Sequence, residues 1–551
     1  MTVSARKPLL VVADDDPAER RRVTDELARR YGADYTVSGC TNAELMTVLE
    51  EARPAGEEVA VVLAAGEPGA ELLARVRALH PTARRGLLIP WLGWMDRALA
   101  ELVLRSMARG WIDLYVLRPT GSPDEVFHRT MAELLQESAR LRGEGPAGAT
   151  IVAEARSARA HALRATISGL GIPHRLRAEP DLFEPTVLLA DGTALSDPSA
   201  AELTQALGFP TELEPHEADL VVVGAGPAGL SAAVYGSSEG LRTTVLDAGA
   251  VGGQAGSSSL IRNYLGFPRG LGGGELAQRA YQQAWLFGTR FRLTQRVVAL
   301  EPATGGIAVR SADQVEVTAR AVVLALGVEY RRLDAPGLAE LEGAGVYYGA
   351  SMSEAQALAG EPVFVVGGGN SAGQAALHLA RYAREVTILV RRSSLVATMS
   401  RYLIDAIEGA PNVGVRSGTE IAAAAGDGFL ERLELRDASG ETETVAAAAL
   451  VILIGAHPRT EWLPEEILRD EWGYLLTGAD ALDDEHRPEG WSLERPPLPL
   501  ETSVPGVFAA GDVRARSVKR VAGAVGDGAM AITDVHAFLS QEPAAGWPAR
   551  T

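Results

Sequence analysis

Two glycine-rich loops, each between an apolar strand pattern and a helical pattern, constrain the fold of this chain more than any other feature. The first, GAGPAG, follows the run DLVVV and precedes LSAAVYGSSEG. Gly224 permits a tight turn, Gly226 lets the backbone approach a pyrophosphate, and Gly229 allows close helix–strand packing. The next strand pattern ends at Asp247, which is placed to bond a ribose hydroxyl. A generic glycine turn is the alternative, but this order of elements favours a dinucleotide site.

The second loop, GGGNSA, also lies between a strand pattern, PVFVV, and a helical one. The next strand pattern along the chain, REVTILV, ends at Arg391 and Arg392, at the place where a site for NAD would carry an acidic residue. Guanidinium groups form bidentate bonds to phosphate, so the pair favours NADPH over NADH; the alternative is that both arginines only solvate a strand end. The other predicted site residues of this loop are Gly367, Gly369, Asn370 and Ser371.

Length and charge limit the classes of protein. A chain of 551 residues exceeds one hydrophobic core, and the net charge of −19 repels phosphate backbones and anionic lipid. We therefore expect several domains and no nucleic-acid or membrane partner. The longest apolar run is too short to span a bilayer and the start lacks a signal-peptide pattern, so the expected location is cytoplasmic. Histidines are never paired at helical spacing, and we expect no metal site.

The chain has one cysteine, Cys40. A single thiol excludes an intrachain disulfide and any intrachain dithiol chemistry. An ordinary half-buried cysteine is the expected role of this residue.

Two Gly/Pro-rich breaks, RGEGPAGA and GFPTELEPHEA, divide the chain. Alternating strand and helix patterns predict the α/β class throughout. The predicted domains are residues 1–142, 150–209 and 217–540.

Residues 217–540 resemble the low-molecular-weight thioredoxin reductases. The resemblance rests on blocks that occur in the order of that family: VVVGAGPAGLSAAVY, GGQ, NYLGFP, VVLALGVEYRRL, GGGNSA, SVPGVFAAGDV and KRVAGAVGDGAMAI. It implies a homodimer with FAD and NADPH as cofactors. It also implies a first FAD-binding part (217–330), an NADPH-binding domain (331–456) and a second FAD-binding part (457–540). Arg520 replaces a glutamine usual beside the flavin pyrimidine; it would stabilise reduced flavin or point to solvent. The residues that would line FAD are Gly253, Gln254, Asn263, Gly511, Asp512, Arg520 and Val521.

The redox Cys-x-x-Cys of that family is missing. Its two positions fall on Ala350 and Ser353, within GVYYGASMSEAQ. Reduction of thioredoxin needs a dithiol that exchanges with the partner through a mixed disulfide. This chain therefore cannot use the family mechanism, and no catalytic residue is predicted. Without the disulfide, we expect a single orientation of the NADPH-binding domain.

Residues 1–142 resemble a response-regulator receiver domain of the doubly wound class. Asp14 and Asp15 match the acid pair of that family, but its phospho-acceptor position falls on Ala64. Pro90 and Arg118 replace the usual hydroxyl residue and lysine. These changes predict a pseudo-receiver that binds a protein partner. The acids at 14–16 could hold Mg²⁺, but a solvated acidic loop is favoured.

Residues 150–209 are similar to a glutaredoxin or thioredoxin-like fold. Pro185 matches the cis-proline of that family, and a cis bond is expected there. Residues 155–159 replace its dithiol, so the unit cannot shuttle thiols. Arg156, Arg159 and His161 would form an anion site at the helix start, or that start is merely solvated, which is the favoured alternative.

The order of the three parts resembles fused response regulator/thioredoxin reductase proteins. The predicted function is an FAD-dependent NADPH oxidoreductase with an unknown acceptor that is not a thiol, of the ferredoxin, quinone or dioxygen class. The alternative is a non-catalytic flavin- and nucleotide-sensing regulator or scaffold. Intact nucleotide loops favour the enzyme, whereas three missing catalytic centres favour regulation.

Overall fold

The computed structural model divides into two compact units, one formed by Met1–Pro146 with Arg401–Pro411 and the other by Ala147–Ser400 with Asn412–Thr551. It describes residues 7–540 apart from 55, 109–110, 143, 145–146, 155–156, 181, 257–260, 262, 268–269, 349–357, 359, 428, 483–486 and 489–490.

The first unit contains a parallel five-stranded sheet of order β2-β1-β3-β4-β5. Strands β1 and β3 are buried along their whole length, as expected for a sheet covered by helices on both faces. Its elements are β1 (Leu9–Ala13), α1 (Pro17–Tyr31), β2 (Thr36–Cys40), α2 (Asn42–Ala52), β3 (Val59–Ala65), α3 (Gly66–Leu79), β4 (Arg84–Ile89), α4 (Arg97–Ala108), β5 (Leu114–Leu117) and α5 (Glu125–Leu141).

The second unit begins with a small module. Its four-stranded sheet has the order β7-β6-β8-β9, with β6 and β7 parallel and the other pairs antiparallel. Both helices begin at a serine whose side chain caps the first turn, Ser157 and Ser199. The module consists of β6 (Ala149–Ala153), α6 (Ala158–Gly169), β7 (His174–Ala178), β8 (Thr186–Leu189), β9 (Ala194–Ser196) and α7 (Ala200–Ala206).

The chain then enters the first nucleotide-binding domain, called here the flavin domain. Its sheet has the order β12-β11-β10-β15-β14-β13, and the buried strand β10 lies parallel to both β11 and β15. The elements are β10 (His216–Val223), α8 (Pro227–Ser238), β11 (Thr243–Leu246), α9 (Gly253–Gly256), α10 (Gly273–Leu286), β12 (Arg290–Arg292), β13 (Val297–Ala303), β14 (Gly306–Ser311) and β15 (Glu316–Leu324).

The second nucleotide-binding domain, called here the nucleotide domain, is inserted into the flavin domain. Its parallel sheet has the order β17-β24-β18-β19-β20, and an antiparallel sheet β21-β22-β23 accompanies it. The elements are β16 (Glu329–Tyr330), β17 (Val346–Tyr348), β18 (Pro362–Val366), α11 (Asn370–Leu379), β19 (Glu385–Val390), α12 (Arg401–Glu408, in the first unit), β20 (Val413–Ser417), β21 (Glu420–Ala425), β22 (Arg432–Arg436), β23 (Thr442–Ala446), β24 (Ala449–Ile452) and β25 (Ala456–His457).

The inserted domain is joined to the flavin domain by a short ribbon. Strand β16 leaves the flavin domain and β25 returns, and the two pair over two residues each. Strand β26 (Val507–Ala509) then pairs with β15, and helix α13 (Val521–Leu539) packs against α8. The two chain segments that make up the flavin domain therefore share one sheet.

One expectation from the sequence is wrong, and another holds only in part. The bond before Pro185 is trans, since among the described residues only Ser122–Pro123 is cis. The acids after β1 form a solvated loop only in part, because Asp15 and Asp16 are exposed whereas Asp14 is 3% exposed. Asp14 lies 2.6 Å from the guanidinium of Arg118, and the Asp15 carboxylate accepts two hydrogen bonds from Asn42.

Within the described part of the chain, no helix has the length and apolar character needed to cross a membrane. In the same part, no three acidic, histidine or cysteine side chains are grouped so that they could hold a metal ion.

Candidate functional site

The first glycine loop joins β10 to α8, and each of its three glycines has a distinct steric role. Gly224 has φ +109°, and a Cβ there would lie 2.3 Å from the carbonyl oxygen of Ala325. A Cβ on Gly229 would lie 1.8 Å from the carbonyl oxygen of Gly224, so helix and loop could not pack as they do. Around Gly226 there is open space, because no atom lies within 4 Å of a Cβ added there. The loop therefore leaves its second glycine accessible at a helix N-terminus, which suits a pyrophosphate.

Asp247 follows β11, and its carboxylate holds the first glycine loop in place through hydrogen bonds. Its Oδ2 accepts a hydrogen bond of 2.6 Å from the N–H of Ala225, and its Oδ1 accepts one of 2.7 Å from the N–H of Gly249. Burial raises the pKa of this carboxyl above its usual range, although the two N–H groups oppose the shift. The predicted ribose-binding acid thus lies beside the glycine loop.

The GGQ segment packs against the same loop. Gly253 has φ +50°, and a Cβ there would lie 3.2 Å from the Cα of Gly226. Gln254 donates its side-chain amide to the carbonyl of Val328, just before β16. Asn263, also predicted to line FAD, is exposed.

The carboxylate of Asp512 is the strongest sign of a ligand in this region. Its Oδ1 is buried and has no hydrogen-bond partner among the described residues. Burial raises the pKa of this carboxyl, and the charge of Lys519 only partly opposes the shift. A Cβ added to the preceding Gly511 would lie 2.8 Å from the Cβ of Ala228, so this turn lies against the first turn of α8. A hydroxyl-bearing group next to the loop would satisfy the acceptor.

Lys519 is a neighbour that sequence analysis did not single out. Its ammonium donates to the carbonyls of Asp512 and Arg514, at 2.5 and 3.2 Å, and lies 4.2 Å from the ring centre of Tyr474. It thereby fixes the turn that carries Asp512. The one sequence signal for Lys519 was its position directly before Arg520 and Val521, which were predicted to line FAD. Arg520 is exposed and occupies the N-cap position of α13, which begins at Val521, but its side chain makes no capping hydrogen bond.

The second glycine loop joins β18 to α11 with similar geometry. Gly367 has φ +146°, and a Cβ there would lie 2.4 Å from the carbonyl oxygen of Leu453, whereas Gly369 faces open space. The Oδ1 of Asn370 accepts a 2.7 Å hydrogen bond from the N–H of Ser400, and Ser371 is exposed at the start of α11.

Arg391 and Arg392 directly follow β19, at the carboxyl edge of the same parallel sheet, and both are exposed. A guanidinium there is free to turn toward a phosphate, which fits the predicted preference for NADPH.

A cavity of about 340 Å³ opens at the ribbon between the two domains, with Gln254 and Tyr348 in its wall. Glu329 pairs with Arg459, and Arg332 pairs with Glu342. Sequence analysis predicted neither pair, and Glu329 and Arg459 lie 130 residues apart.

Several sequence-predicted positions do not join this site. Ala350, Ser353 and Arg156 lie outside the described residues. Arg159 pairs with Asp197 inside the small module, so it is not held ready for an anion.

Comparison with known proteins decides the family. A family model described as pyridine nucleotide-disulphide oxidoreductase matches residues 218–528, more than half of the chain. The chain belongs to this family. Its relatives include thioredoxin reductases. That of Peptoclostridium acidaminophilum is 33% identical over 328 residues (58% of this chain, 96% of the relative), and that of Treponema pallidum is 35% identical over 322 residues (57% and 94%). The crystal structure of T. acidophilum thioredoxin reductase matches with a TM-score of 0.51 and 28% identity, covering 59% of this chain and 99% of that one.

Thioredoxin reductases of this family use FAD and NADPH, and the cofactor prediction is confirmed. The residues present fit both groups. Gly226 and the unsatisfied Oδ1 of Asp512 offer a pyrophosphate cradle and a hydroxyl acceptor for FAD, and Gly369 offers a second cradle for NADPH. The second unit thus has the fold of an NAD(P)H-dependent flavin oxidoreductase.

Proposed function

We propose that this protein oxidises NADPH through bound FAD and delivers the electrons to an acceptor other than a thiol or disulfide, of the ferredoxin, quinone or dioxygen class. The observation that carries this proposal is the presence of one cysteine in 551 residues. A reductase of disulfides needs two thiols that alternate between dithiol and disulfide, and one thiol cannot do so.

The environment of Cys40 supports the same conclusion. Cys40 ends β2 in the first unit and is buried, and burial raises its pKa to about 11. At neutral pH almost none of it is thiolate, the form that attacks disulfides. A thiol relay that uses Cys40 with a second protein is therefore disfavoured as well.

The nucleotide loops support turnover. Bound FAD would accept a hydride from NADPH, giving NADP⁺, and would return two electrons to one quinone or dioxygen molecule or to two ferredoxins. This chain's own residues hold and orient the cofactors. Gly226 and Gly369 leave room for the pyrophosphates, and the carboxylate of Asp512 accepts a hydrogen bond from a hydroxyl of FAD. Arg391 and Arg392 recognise the 2′-phosphate of NADPH.

The finer assignments of the two front regions are also proposals. The strand order of the first unit and the Asp14–Arg118 pair support a pseudo-receiver that cannot be phosphorylated, because Ala64 on β3 has no carboxylate. The small module has the sheet order expected for a glutaredoxin-like fold without cysteines. We also propose that the protein forms a homodimer and that the pseudo-receiver binds a protein partner.

The test is anaerobic stopped-flow absorbance at the flavin band. The full-length protein is mixed with NADPH and separately with NADH, and dioxygen, a quinone or ferredoxin is then added. We expect fast bleaching with NADPH, slower bleaching with NADH and reoxidation by one acceptor. Bound FAD that NADPH cannot bleach would contradict the proposal and favour the regulatory alternative. Reduction of thioredoxin by the purified protein would contradict it too.

A further inference from the structure

The small module at the start of the second unit is anchored to the flavin domain through the end of α6. The carbonyl of Leu170 accepts a hydrogen bond of 2.6 Å from the side-chain amide of Gln278, on α10. Leu170 is fully buried in the same apolar cluster as Leu220 of β10. After α7, the ring of Phe209 lies 5.9 Å from that of Tyr281. A polar and two apolar contacts thus fix one face of the module.

The start of α6 contacts the nucleotide domain instead. The ring of His161 lies 5.1 Å from the ring of Tyr347, on β17, at a tilt of 50°. The second contact is at Gly343, where an added Cβ would lie 3.3 Å from the Cα of Ala158 and 3.3 Å from the Cδ2 of His161. The backbones approach closely, since a side chain at Gly343, which has φ +77°, would force these neighbours to shift by a few tenths of an ångström.

These contacts bridge the flavin domain and the nucleotide domain, which the ribbon of β16 and β25 also joins. The ribbon of β16 and β25 has two residue pairs, and the Glu329–Arg459 ion pair braces it. So short a ribbon can twist at low cost, because few hydrogen bonds resist the motion. Turning the nucleotide domain about the ribbon would carry Gly343 and Tyr347 away from α6, whose other end stays attached to the flavin domain.

We propose that the module is an internal brace, in which Ala158 and His161 are positioning residues that hold the nucleotide domain in the orientation that brings the nicotinamide to the flavin. This inference rests on the proposed hydride transfer and deepens it. The brace acts by keeping the second glycine loop at a fixed distance and angle from the first, which matters because misplacement by about 1 Å can slow a reaction about 100-fold.

The kinetic test uses variants of the full chain. His161→Ala removes the ring contact, and Gly343→Leu places a side chain against the backbone of Ala158 and the ring of His161. Both should lower the limiting rate of flavin reduction at least about fivefold, while the NADPH concentration for half-maximal rate stays unchanged. His161→Phe, which keeps a ring, should restore the rate. Ala165→Phe, exposed on the same helix, is the matched control.

A cross-link tests the orientation directly. Ala158→Cys with Gly343→Cys, in a Cys40→Ala background, places two thiols within the reach of a disulfide. If the braced orientation is the working one, the oxidised protein reduces its flavin as fast as the unlinked one. A cross-linked protein that NADPH cannot reduce, but dithionite can, would overturn the proposal.

A distance measurement separates the brace from the proposed function. Spin labels at exposed Gln282→Cys, on α10, and Ser439→Cys, in the nucleotide domain, report the interdomain distance in the Cys40→Ala background. We expect one narrow distribution that Gly343→Leu broadens and Ala165→Phe does not. A broad distribution in the parent protein would refute the brace. If the distance distribution is narrow but NADPH does not bleach the flavin, the proposed function is refuted and the brace is not.

Discussion

The N–H of Ala225 donates a hydrogen bond of 2.6 Å to the carboxylate of Asp247, so the acid that follows β11 holds the loop that follows β10. This contact fixes the loop before any cofactor binds. The open space around Gly226 is therefore a property of the protein itself.

Gly226→Val should abolish FAD binding without unfolding the protein. The valine side chain would occupy the open space over the loop, whereas the backbone φ of −74° suits any residue. We expect the bound FAD per chain, read from flavin absorbance after gel filtration, to fall about tenfold or more. Gly414→Val, on β20 and equally open, is the control and should keep its FAD. Normal FAD content in Gly226→Val would place the pyrophosphate elsewhere.

Asp512→Asn tests the unsatisfied carboxylate through FAD binding and through the pH dependence of stability. Loss of a charged acceptor for a ligand hydroxyl should weaken FAD binding about 10-fold to 100-fold, measured by fluorescence titration of FAD-stripped protein.

The carboxyl of Asp512 also makes the stability of the folded protein depend on pH. Burial raises the pKa of Asp512 in the folded chain, so the folded state without FAD holds a proton that the unfolded state releases. Stability of FAD-stripped protein should therefore fall as the pH rises from about 4 through the raised pKa. Asp512→Asn should flatten this part of the curve, as followed by urea unfolding. An unchanged slope would mean that the carboxyl is solvated.

The sequence predicts the local parts of the fold and of the site, and it misses the long-range pairs. The glycine loops, the helices after them and the place of Asp247 follow from a continuous pattern of strand, turn and helix. The Asp14–Arg118 pair joins positions 104 residues apart, and the Glu329–Arg459 pair joins positions 130 apart. No periodicity connects such partners, because their meeting depends on how whole domains fold. The bond before Pro185 is trans for a similar reason, since a local match to a motif does not set its isomer.

Replacing both Arg391 and Arg392 by Ala should remove the preference for NADPH. Each guanidinium lies exposed after β19, so the loss of phosphate contacts should raise the apparent Kd of NADPH about 10-fold to 100-fold. NADH, which lacks the 2′-phosphate, should be unaffected. Rates of flavin reduction across a range of both nucleotides measure this, with exposed Arg432→Ala on β22 as the control. Equal losses with NADPH and NADH would show that the pair does not read the phosphate.

Cys40→Ala should leave flavin reduction by NADPH unchanged, since Cys40 is buried in the first unit, and burial raises its pKa to about 11. The same variant and the parent protein should both fail to reduce a disulfide substrate such as oxidised thioredoxin. For the parent protein, alkylation with iodoacetamide at neutral pH should be slow, because the thiolate is the reactive form. Mass spectrometry after timed alkylation measures this rate, and the unfolded protein provides the control for a freely accessible thiol. Loss of NADPH oxidation in Cys40→Ala at unchanged FAD content would show that the single thiol takes part in electron transfer.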